Sequence, residues 1–191
     1  MARARGGWIC CADESGVNLI PPVRTTWAPR GQTPILHHPW RRRDNLSVVG
    51  LICYHPDGRR VRLLVGHVVG AYHTNSLIPV LQRLPALVDG DPVILVWDGL
   101  SAHRSTDMKA WLAAQTGWPQ VIELPGYAPD LNPVEKLWSA VKGKDLANYA
   151  ATDLADLWTA AHRSLQRIRR NPALLWSFLA GAGLQIPSTG S

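Results

Sequence analysis

The sequence predicts an α/β fold in which helices pack on both faces of a mixed β-sheet. Two β-rich runs, 46–54 and 60–69, flank the turn signal Pro56-Asp57-Gly58, a pattern typical of an antiparallel hairpin. The run Val93–Trp97 is continuously apolar and rich in β-branched residues, which favours a strand buried on both faces. Helical and strand patterns alternate around this run, and such crossover connections require parallel strands.

The remaining elements follow from periodicity, caps and breakers. An apolar stripe of Val134, Leu137, Trp138 and Val141 marks a helix that opens at Asn132-Pro133. The other predicted elements are a strand at 8–12, a proline-rich irregular segment at 18–45, a helix at 74–84, a helix at 105–115, a strand at 120–124, a helix at 152–170 capped by Thr152, and a short helix at 172–181.

Length and composition fit one globular domain. The chain has 191 residues, 46% of them apolar and 18% charged, which is enough for one sizeable core. We predict a single domain over 1–185, with a core at about 7–146, C-terminal helices at about 151–181 and a disordered tail at 186–191. No apolar run is long enough to cross a membrane, and three cysteines cannot form a disulfide framework. We therefore expect a reducing, cytoplasmic location.

Positive charge is concentrated in the first third of the chain. Residues 1–60 hold nine Lys/Arg against four Asp/Glu, whereas residues 61–191 hold eleven against ten. The excess centres on Arg41, Arg42 and Arg43, beside Trp40. Such a cluster suits a polyanion, because neutralised phosphates release counterions and an indole can stack on a base. The cluster is equally compatible with a solubilising surface and a tryptophan that anchors its loop.

Three acidic residues are candidates for a metal site. Asp13 comes just past the first predicted strand, Asp98 follows the buried strand at its carboxyl end, and Glu135 lies in the first turn of a later helix. If these carboxylates converge they repel one another, and a pair of Mg²⁺ ions resolves the conflict while activating a phosphodiester. Each also has an ordinary structural interpretation: an exposed strand end for Asp13, a turn for Asp98, and a capping box with Asn132 for Glu135.

One histidine is a candidate accessory residue. His103 comes five residues after Asp98 and could position water or phosphate. A lone histidine after a strand is more often an exposed or hydrogen-bonded surface residue, and the sequence leaves both interpretations open.

Three stretches resemble the signatures of bacterial transposases of the mariner superfamily, in the branch called insertion-sequence family six-thirty. The longest match is Leu124-Pro-Gly-Tyr-Ala-Pro-Asp-Leu-Asn-Pro-Val-Glu-Lys-Leu-Trp138, in which Glu135 takes the place of the last catalytic acid. Val93-Ile-Leu-Val-Trp-Asp-Gly-Leu-Ser-Ala-His103 resembles the second signature and Ala12-Asp-Glu-Ser-Gly16 the first. The stretch Trp27-Ala-Pro-Arg-Gly-Gln-Thr-Pro34 is similar to another pattern common in this branch.

The resemblance implies a ribonuclease-H-like fold with three antiparallel strands followed by two parallel strands. It also implies an Asp-Asp-Glu site in which Asp13, Asp98 and Glu135 bind two Mg²⁺ or Mn²⁺ ions, and a reaction that cuts DNA at element ends and joins the freed 3′-hydroxyl to target DNA. Lys142 matches a lysine often seen at this position, where it could meet a phosphate, and an exposed solubilising lysine is the equal alternative. Gly99 departs from the family's usual Asn, and we expect it to weaken activity without abolishing it.

The resemblance also implies partners. These are the terminal inverted repeats of an element, target DNA and a second copy of the chain in a homodimer, acting in the cytoplasm on the nucleoid. Family members carry an N-terminal helix-turn-helix module, which we expect to be absent here because the first catalytic strand begins near residue 8. A second reading frame joined by frameshifting, a truncated remnant and a catalytic subunit that depends on a partner all fit this expectation. A remnant that binds DNA without cutting, or another ribonuclease-H-like nuclease, is the alternative function.

Overall fold

The computed structural model describes residues 7–37, 45–126 and 128–186. Five strands and seven helices occur in these ranges. They are β1 (Trp8–Asn18), β2 (Asn45–Tyr54), β3 (Val61–Val69), α1 (Thr74–Leu81), α2 (Leu84–Leu87), β4 (Val93–Trp97), α3 (Ser101–Arg104), α4 (Thr106–Ala114), β5 (Gln120–Glu123), α5 (Pro133–Ala140), α6 (Leu154–Arg169) and α7 (Pro172–Gly181).

The strands form one mixed sheet in the order β3-β2-β1-β4-β5. β1, β2 and β3 pair antiparallel, while β4 and β5 each pair parallel to their neighbour. Helices α5, α6 and α7 cover one face and α1, α2 and α4 the other, each over its own apolar core. This confirms the predicted α/β class, with three antiparallel strands followed by two parallel strands and helices on both faces. No helix in the described ranges is long and apolar enough to cross a bilayer.

The first strand is longer than the sequence predicts. β1 pairs with β4 only over Trp8–Cys11, but it continues to Asn18 as the antiparallel partner of β2. The prediction that Asp13 lies just past the strand is therefore wrong, because Asp13 is paired with Gly50 in mid-strand. The second half of β1 extends beyond the end of β4, where its residues are only partly buried and mostly polar. The apolar pattern of the sequence therefore predicts only the first half of the strand.

Several helix boundaries also differ from the prediction. The predicted helix at 74–84 divides into α1 and α2, and α1 is capped by His73 rather than by Thr74 or Asn75. The short helix α3 was not predicted and precedes α4, whose cap is Ser105. Asp153, not Thr152, caps α6 with its side chain. Helix α5 continues into a π-helical turn over Val141–Asp145.

Residues 19–37 contain no helix or strand, as predicted for this proline-rich segment. Its base is tied to the turn after α5, because the Asn148 side chain accepts a hydrogen bond from the Arg24 amide and donates one to the Arg24 carbonyl, both at 2.9 Å. The Trp27 side chain is fully exposed.

Cys10 and Cys53 lie opposite each other on β1 and β2 and form a disulfide, with their Cα atoms 4.0 Å apart. The sequence did not predict this pair, because 43 residues separate its members and only the register of the two strands brings them together. Cys11 is a free buried thiol and lies on the other face of the sheet, in the core under α5, α6 and α7. The cytoplasmic, reducing location inferred from the cysteine count stays a prediction.

Candidate active site

The first two candidate acids lie where β1 runs past the carboxyl end of β4. Cys11 on β1 is the register partner of Val96 on β4, and both side chains face the core under α5–α7. Asp13 follows Cys11 by two residues within β1, so the alternation of side chains turns it to that face, and Asp98 is the first residue beyond the end of β4. Sequence reasoning anticipated the meeting of these strand ends but placed Asp13 outside its strand.

Asp13 is buried and has one strong hydrogen-bond donor. Its side chain is 9% exposed, and its Oδ2 accepts a hydrogen bond of 2.8 Å from Nε1 of Trp138 on α5. Burial, reinforced by the negative charges of Glu135, Glu14 and Asp98, raises the pKa of Asp13 from 3.8 to about 7, although the Trp138 bond acts in the opposite direction. Burial and the nearby acids therefore disfavour the ionised form of this carboxyl group.

Glu135 is positioned by the start of α5. Asn132 caps this helix by accepting from the Val134 amide at 3.1 Å, and its own amide donates to the Ala12 carbonyl at 3.0 Å. This second bond ties the helix to β1 immediately before Asp13. The Asn132 backbone N–H donates to the Pro129 carbonyl, so the alternative capping-box interpretation of Glu135 is not what the structure shows.

The close approach of α5 to the sheet depends on a glycine. Gly50, the β2 partner of Asp13, has no side chain, and a Cβ atom there would come within 3.1 Å of both Leu137 and the Trp138 ring. Both helix residues are buried in the core beneath α5. A larger residue on β2 would push α5, and Glu135 with it, away from the strand that carries Asp13.

Asp98 lies at the exposed rim of the site. Its side chain is 51% exposed, and its Oδ1 accepts a hydrogen bond of 3.0 Å from the Leu100 amide. Nδ1 of His103 lies 3.0 Å from this oxygen and forms its hydrogen bond with the Asp98 carbonyl oxygen. The turn interpretation of Asp98 is thus also realised, because the carboxylate organises the loop that leads into α3. The contact with His103 places the predicted accessory residue at the site.

His103 joins Asp98 to a fourth acidic residue. Its ring is buried and stacks on Trp97 with centroids 4.1 Å apart, while Nε2 lies 3.2 Å from Oε1 of Glu14. Burial lowers the pKa of His103, but the hydrogen bond and charge of Glu14 and the contacts with Asp98 outweigh it, so the net pKa is raised. Because both partners offer only acceptor oxygens, the ring satisfies them best with both nitrogens protonated.

Lys142 is near the same carboxylates. Burial lowers the pKa of Lys142, whereas the negative charges of Glu135 and Asp13 oppose that effect. It also lines a cavity of about 250 Å³ between the start of residues 19–37 and α6. The remaining predicted DNA contacts, Trp40 and Arg41 to Arg43, lie outside the described residues.

The space beside Gly99, where the family usually has Asn, is occupied by the side chain of Arg104. A Cβ at position 99 would lie 2.5 Å from Cζ of Arg104, whose guanidinium is held by Glu123 at 2.7 Å. The guanidinium thus occupies the space beside Gly99, and Asp98 together with Glu123 raises the pKa of Arg104. Sequence reasoning noted the glycine but missed this arginine, because their contact depends on the path of α3.

The side chains as they stand do not close around a metal. Within residues 7–37, 45–126 and 128–186, no three His, Cys, Asp or Glu side chains are close enough to hold one ion together. The carboxyl oxygens of Asp13 and Asp98 turn instead to N–H donors.

Three residues that shape the site were not predicted to act there. Trp138 was assigned to the core, Asn132 to a helix cap, and Glu14 to a strand end. For Trp138 and Asn132 the only signal is their position within the long stretch from Leu124 to Trp138. For Glu14 no sequence signal pointed to the site, because neighbouring residues of a strand point to opposite faces of the sheet and Asp13 already points towards α5.

Comparison with known proteins identifies the family. The family model described as "DDE superfamily endonuclease" matches residues 8–157. A protein of Shigella sonnei, called insertion element IS630 uncharacterized 39 kDa protein, is 24% identical over 161 residues, which cover 84% of this chain. The chain spans only 45% of that relative's length.

Solved structures share the fold at low sequence identity. The Mos1 strand transfer complex matches with a TM-score of 0.64 and 15% identity, over 91% of this chain and 51% of that one. The mariner Mos1 paired end complex with Mg gives 0.54 and 18%, over 92% and 55%. The HTLV-2 integrase catalytic core domain in complex with magnesium gives 0.50 and 13%, over 86% of each chain. The ribonuclease-H-like fold class is thereby confirmed, and the chain belongs to the DDE superfamily endonuclease family.

Proposed function

We propose that this domain is the catalytic part of a DNA transposase that uses Asp13, Asp98 and Glu135. It cleaves strands at the ends of an element and transfers the freed 3′-hydroxyl into target DNA. The observation that supports this best is that Asp13 and Asp98 each follow the paired residues Cys11 and Val96 by two positions, with the helix that carries Glu135 tied to β1 beside Asp13. We expect the middle of β1, the carboxyl end of β4 and the start of α5 to bring these three acids together.

The donor set fits a hard divalent cation. All three groups offer carboxylate oxygens, which Mg²⁺ and Mn²⁺ prefer. The raised pKa of Asp13 is a second indication, since burial and the neighbouring negative charges make its ionised form unfavourable until positive charge arrives. Asp98 is half exposed, so its carboxylate has room to rotate inward. Two such ions, when bound, supply Lewis acidity to the attacking oxygen and stabilise the leaving one.

The protein's own residues hold this arrangement in place. Trp138 fixes one oxygen of Asp13 and leaves the other free for a cation. Asn132 holds the first turn of α5 against β1, which fixes the position of Glu135 relative to Asp13. Lys142 places a half-buried ammonium group beside the carboxylates, where a scissile or neighbouring phosphate would meet it.

DNA and a second copy of the chain are the proposed partners. The positive excess in residues 1–60, including Trp40 and Arg41 to Arg43, supports binding of a phosphate backbone. The Shigella relative is more than twice as long as the matched part, which supports a further module, such as a helix-turn-helix, in the working protein. A paired-end assembly in the similar Mos1 structures supports a homodimer that brings two ends together.

Cleavage and strand transfer test this proposal together. The substrates are duplexes taken from the DNA that flanks the gene, either intact or pre-cleaved to expose a 3′-hydroxyl, with a plasmid as target. We expect Mg²⁺- or Mn²⁺-dependent nicking of the first and joining of the second. Asp98→Asn should abolish both while DNA affinity stays within about threefold, because the substitution keeps shape and removes one ligand charge.

The outcomes separate the alternatives. Cleavage without joining of pre-cleaved ends would favour a ribonuclease-H-like nuclease over a transposase. DNA binding without either reaction would identify a remnant that binds but does not cut. Cleavage that persists in Asp98→Asn would contradict the assignment of the site. Removal of the cation with a chelator should stop the reaction and leave binding in place.

A further inference from the structure

Glu14 follows Asp13 directly in β1 but belongs to the other face of the sheet. Alternation along the strand turns its side chain away from α5 and towards α1 and α3. There it borders a cavity of about 550 Å³ with Tyr72 and Ser101. Its side chain is 12% exposed, and its defined contact is Nε2 of His103 at 3.2 Å.

His103 is held on all sides. Its side chain is 1% exposed, and its ring lies parallel to the Trp97 indole at an angle of 1°. Nε2 meets Glu14, and Nδ1 lies 3.0 Å from both the carbonyl oxygen and Oδ1 of Asp98. The imidazole therefore spans from β1 to the end of β4, the two strands that carry the first two proposed ligands.

We propose that Glu14 and His103 are positioning residues for Asp98. Glu14 orients the imidazole through Nε2, and Nδ1 then holds Asp98 at the end of β4 through its carbonyl oxygen and the adjacent Oδ1. This inference rests on the proposed function, and it assigns Glu14 to support of the site and not to metal ligation. Hydrogen-bonded partners that orient ligand side chains change metal affinity or activity by roughly 10–100-fold when lost.

Two substitutions of His103 separate its two contacts. The amide nitrogen of Asn falls near the position of Nδ1, so His103→Asn keeps the Asp98 contact and loses Glu14. The amide nitrogen of Gln falls near Nε2, so His103→Gln keeps Glu14 and loses Asp98. We expect His103→Gln to weaken Mn²⁺ binding and DNA cleavage by at least about tenfold relative to His103→Asn. His162→Asn on α6 controls for loss of a half-buried histidine.

Glu14 needs its own pair of variants. Glu14→Gln keeps a carbonyl oxygen that accepts from the imidazole, whereas Glu14→Ala removes it. We expect Glu14→Ala to lose roughly tenfold in Mn²⁺ affinity and Glu14→Gln to lose much less. If Glu14→Gln loses as much Mn²⁺ affinity as Asp98→Asn, Glu14 is itself a ligand and the inference is overturned.

Amide exchange gives a readout that needs neither metal nor activity. The Leu100 amide donates to Oδ1 of Asp98, so its hydrogen exchange reports whether that carboxylate is held. We expect exchange at Leu100 to be at least about tenfold faster in His103→Gln than in His103→Asn, with Leu95 in β4 unchanged as the reference. Equal exchange in the two variants overturns the inference. Absence of Mn²⁺ binding by the wild-type chain overturns the proposed function instead, and the exchange ratio still decides the role of His103.

Discussion

The buried carboxyl of Asp13 should make folding stability depend on pH in a direction opposite to that of an ion-paired acid. Its pKa is about 7 in the folded chain against 3.8 for the free side chain. Below pH 3.8 both states hold the proton and the group contributes nothing. Between the two values the folded state alone retains the proton, so the free energy of unfolding falls as the pH rises.

The size of this effect follows from the shift. A difference of about three pKa units lowers the free energy of unfolding by about 4 kcal/mol in total. The loss accumulates at about 1.4 kcal/mol per pH unit between the two pKa values and is complete above pH 7. Asp13→Asn removes the ionisable group while its carbonyl still accepts from Trp138. We therefore expect this variant to match the wild type near pH 4 and to exceed it by about 4 kcal/mol above pH 7.

Urea unfolding between pH 4.5 and 8, followed by circular dichroism, measures this difference directly. The exposed Asp130→Asn controls for the loss of one negative charge at the surface. Mg²⁺ at pH 7.5 should stabilise the wild type and leave Asp13→Asn unaffected, because the cation supplies the missing charge. A difference between Asp13→Asn and wild type that is flat with pH would refute the reasoning.

Three further substitutions test how α5 is attached to the sheet. Trp138→Phe removes the donor to Asp13 and should cost about 1–3 kcal/mol in urea unfolding, with a further rise in the Asp13 pKa measured by carboxyl-carbon NMR. Asn132→Ala removes the cap of α5 and its bond to β1, and we expect about 2 kcal/mol lost, with Asn132→Asp recovering the cap alone. Gly50→Ala should cost about 1–3 kcal/mol by overpacking the helix, whereas Gly16→Ala, where an added Cβ meets nothing, should show no such packing penalty.

The sheet was predictable where apolar pattern and burial coincide. The continuous run Val93–Trp97 marks β4 because both of its faces are covered by helices. The extension of β1 to Asn18 was not predictable, since it is supported on one edge only and carries polar residues. Likewise α3 follows from the local path of the chain after Asp98 and has no periodic signal of its own.

The candidate acids were predictable as chemistry, but their surroundings were not. Motif order singled out Asp13, Asp98 and Glu135, whereas the bond from Trp138 to Asp13 joins residues 125 apart. The contact between His103 and Glu14 spans 89 positions. Such contacts depend on strand register and on the depth at which a helix packs, which short sequence windows do not contain.

The roles of Trp40 and Arg41 to Arg43 stay predictions, because these residues lie outside the described ranges. Alanine substitution of the three arginines should lower DNA affinity and reduce the salt dependence of binding, by a slope of roughly one per lost phosphate contact. An unchanged slope in a fluorescence anisotropy titration over several salt concentrations would identify the cluster as a solvated surface.

The central claim is that three carboxylates on different elements bind divalent cations together. Electron paramagnetic resonance counts free and bound Mn²⁺ for the wild type and for Asp13→Asn, Asp98→Asn and Glu135→Gln. We expect the wild type to bind two ions and each variant to lose at least about tenfold in affinity, because each ligand serves the shared site. Binding in all three variants that equals the wild type would contradict the claim.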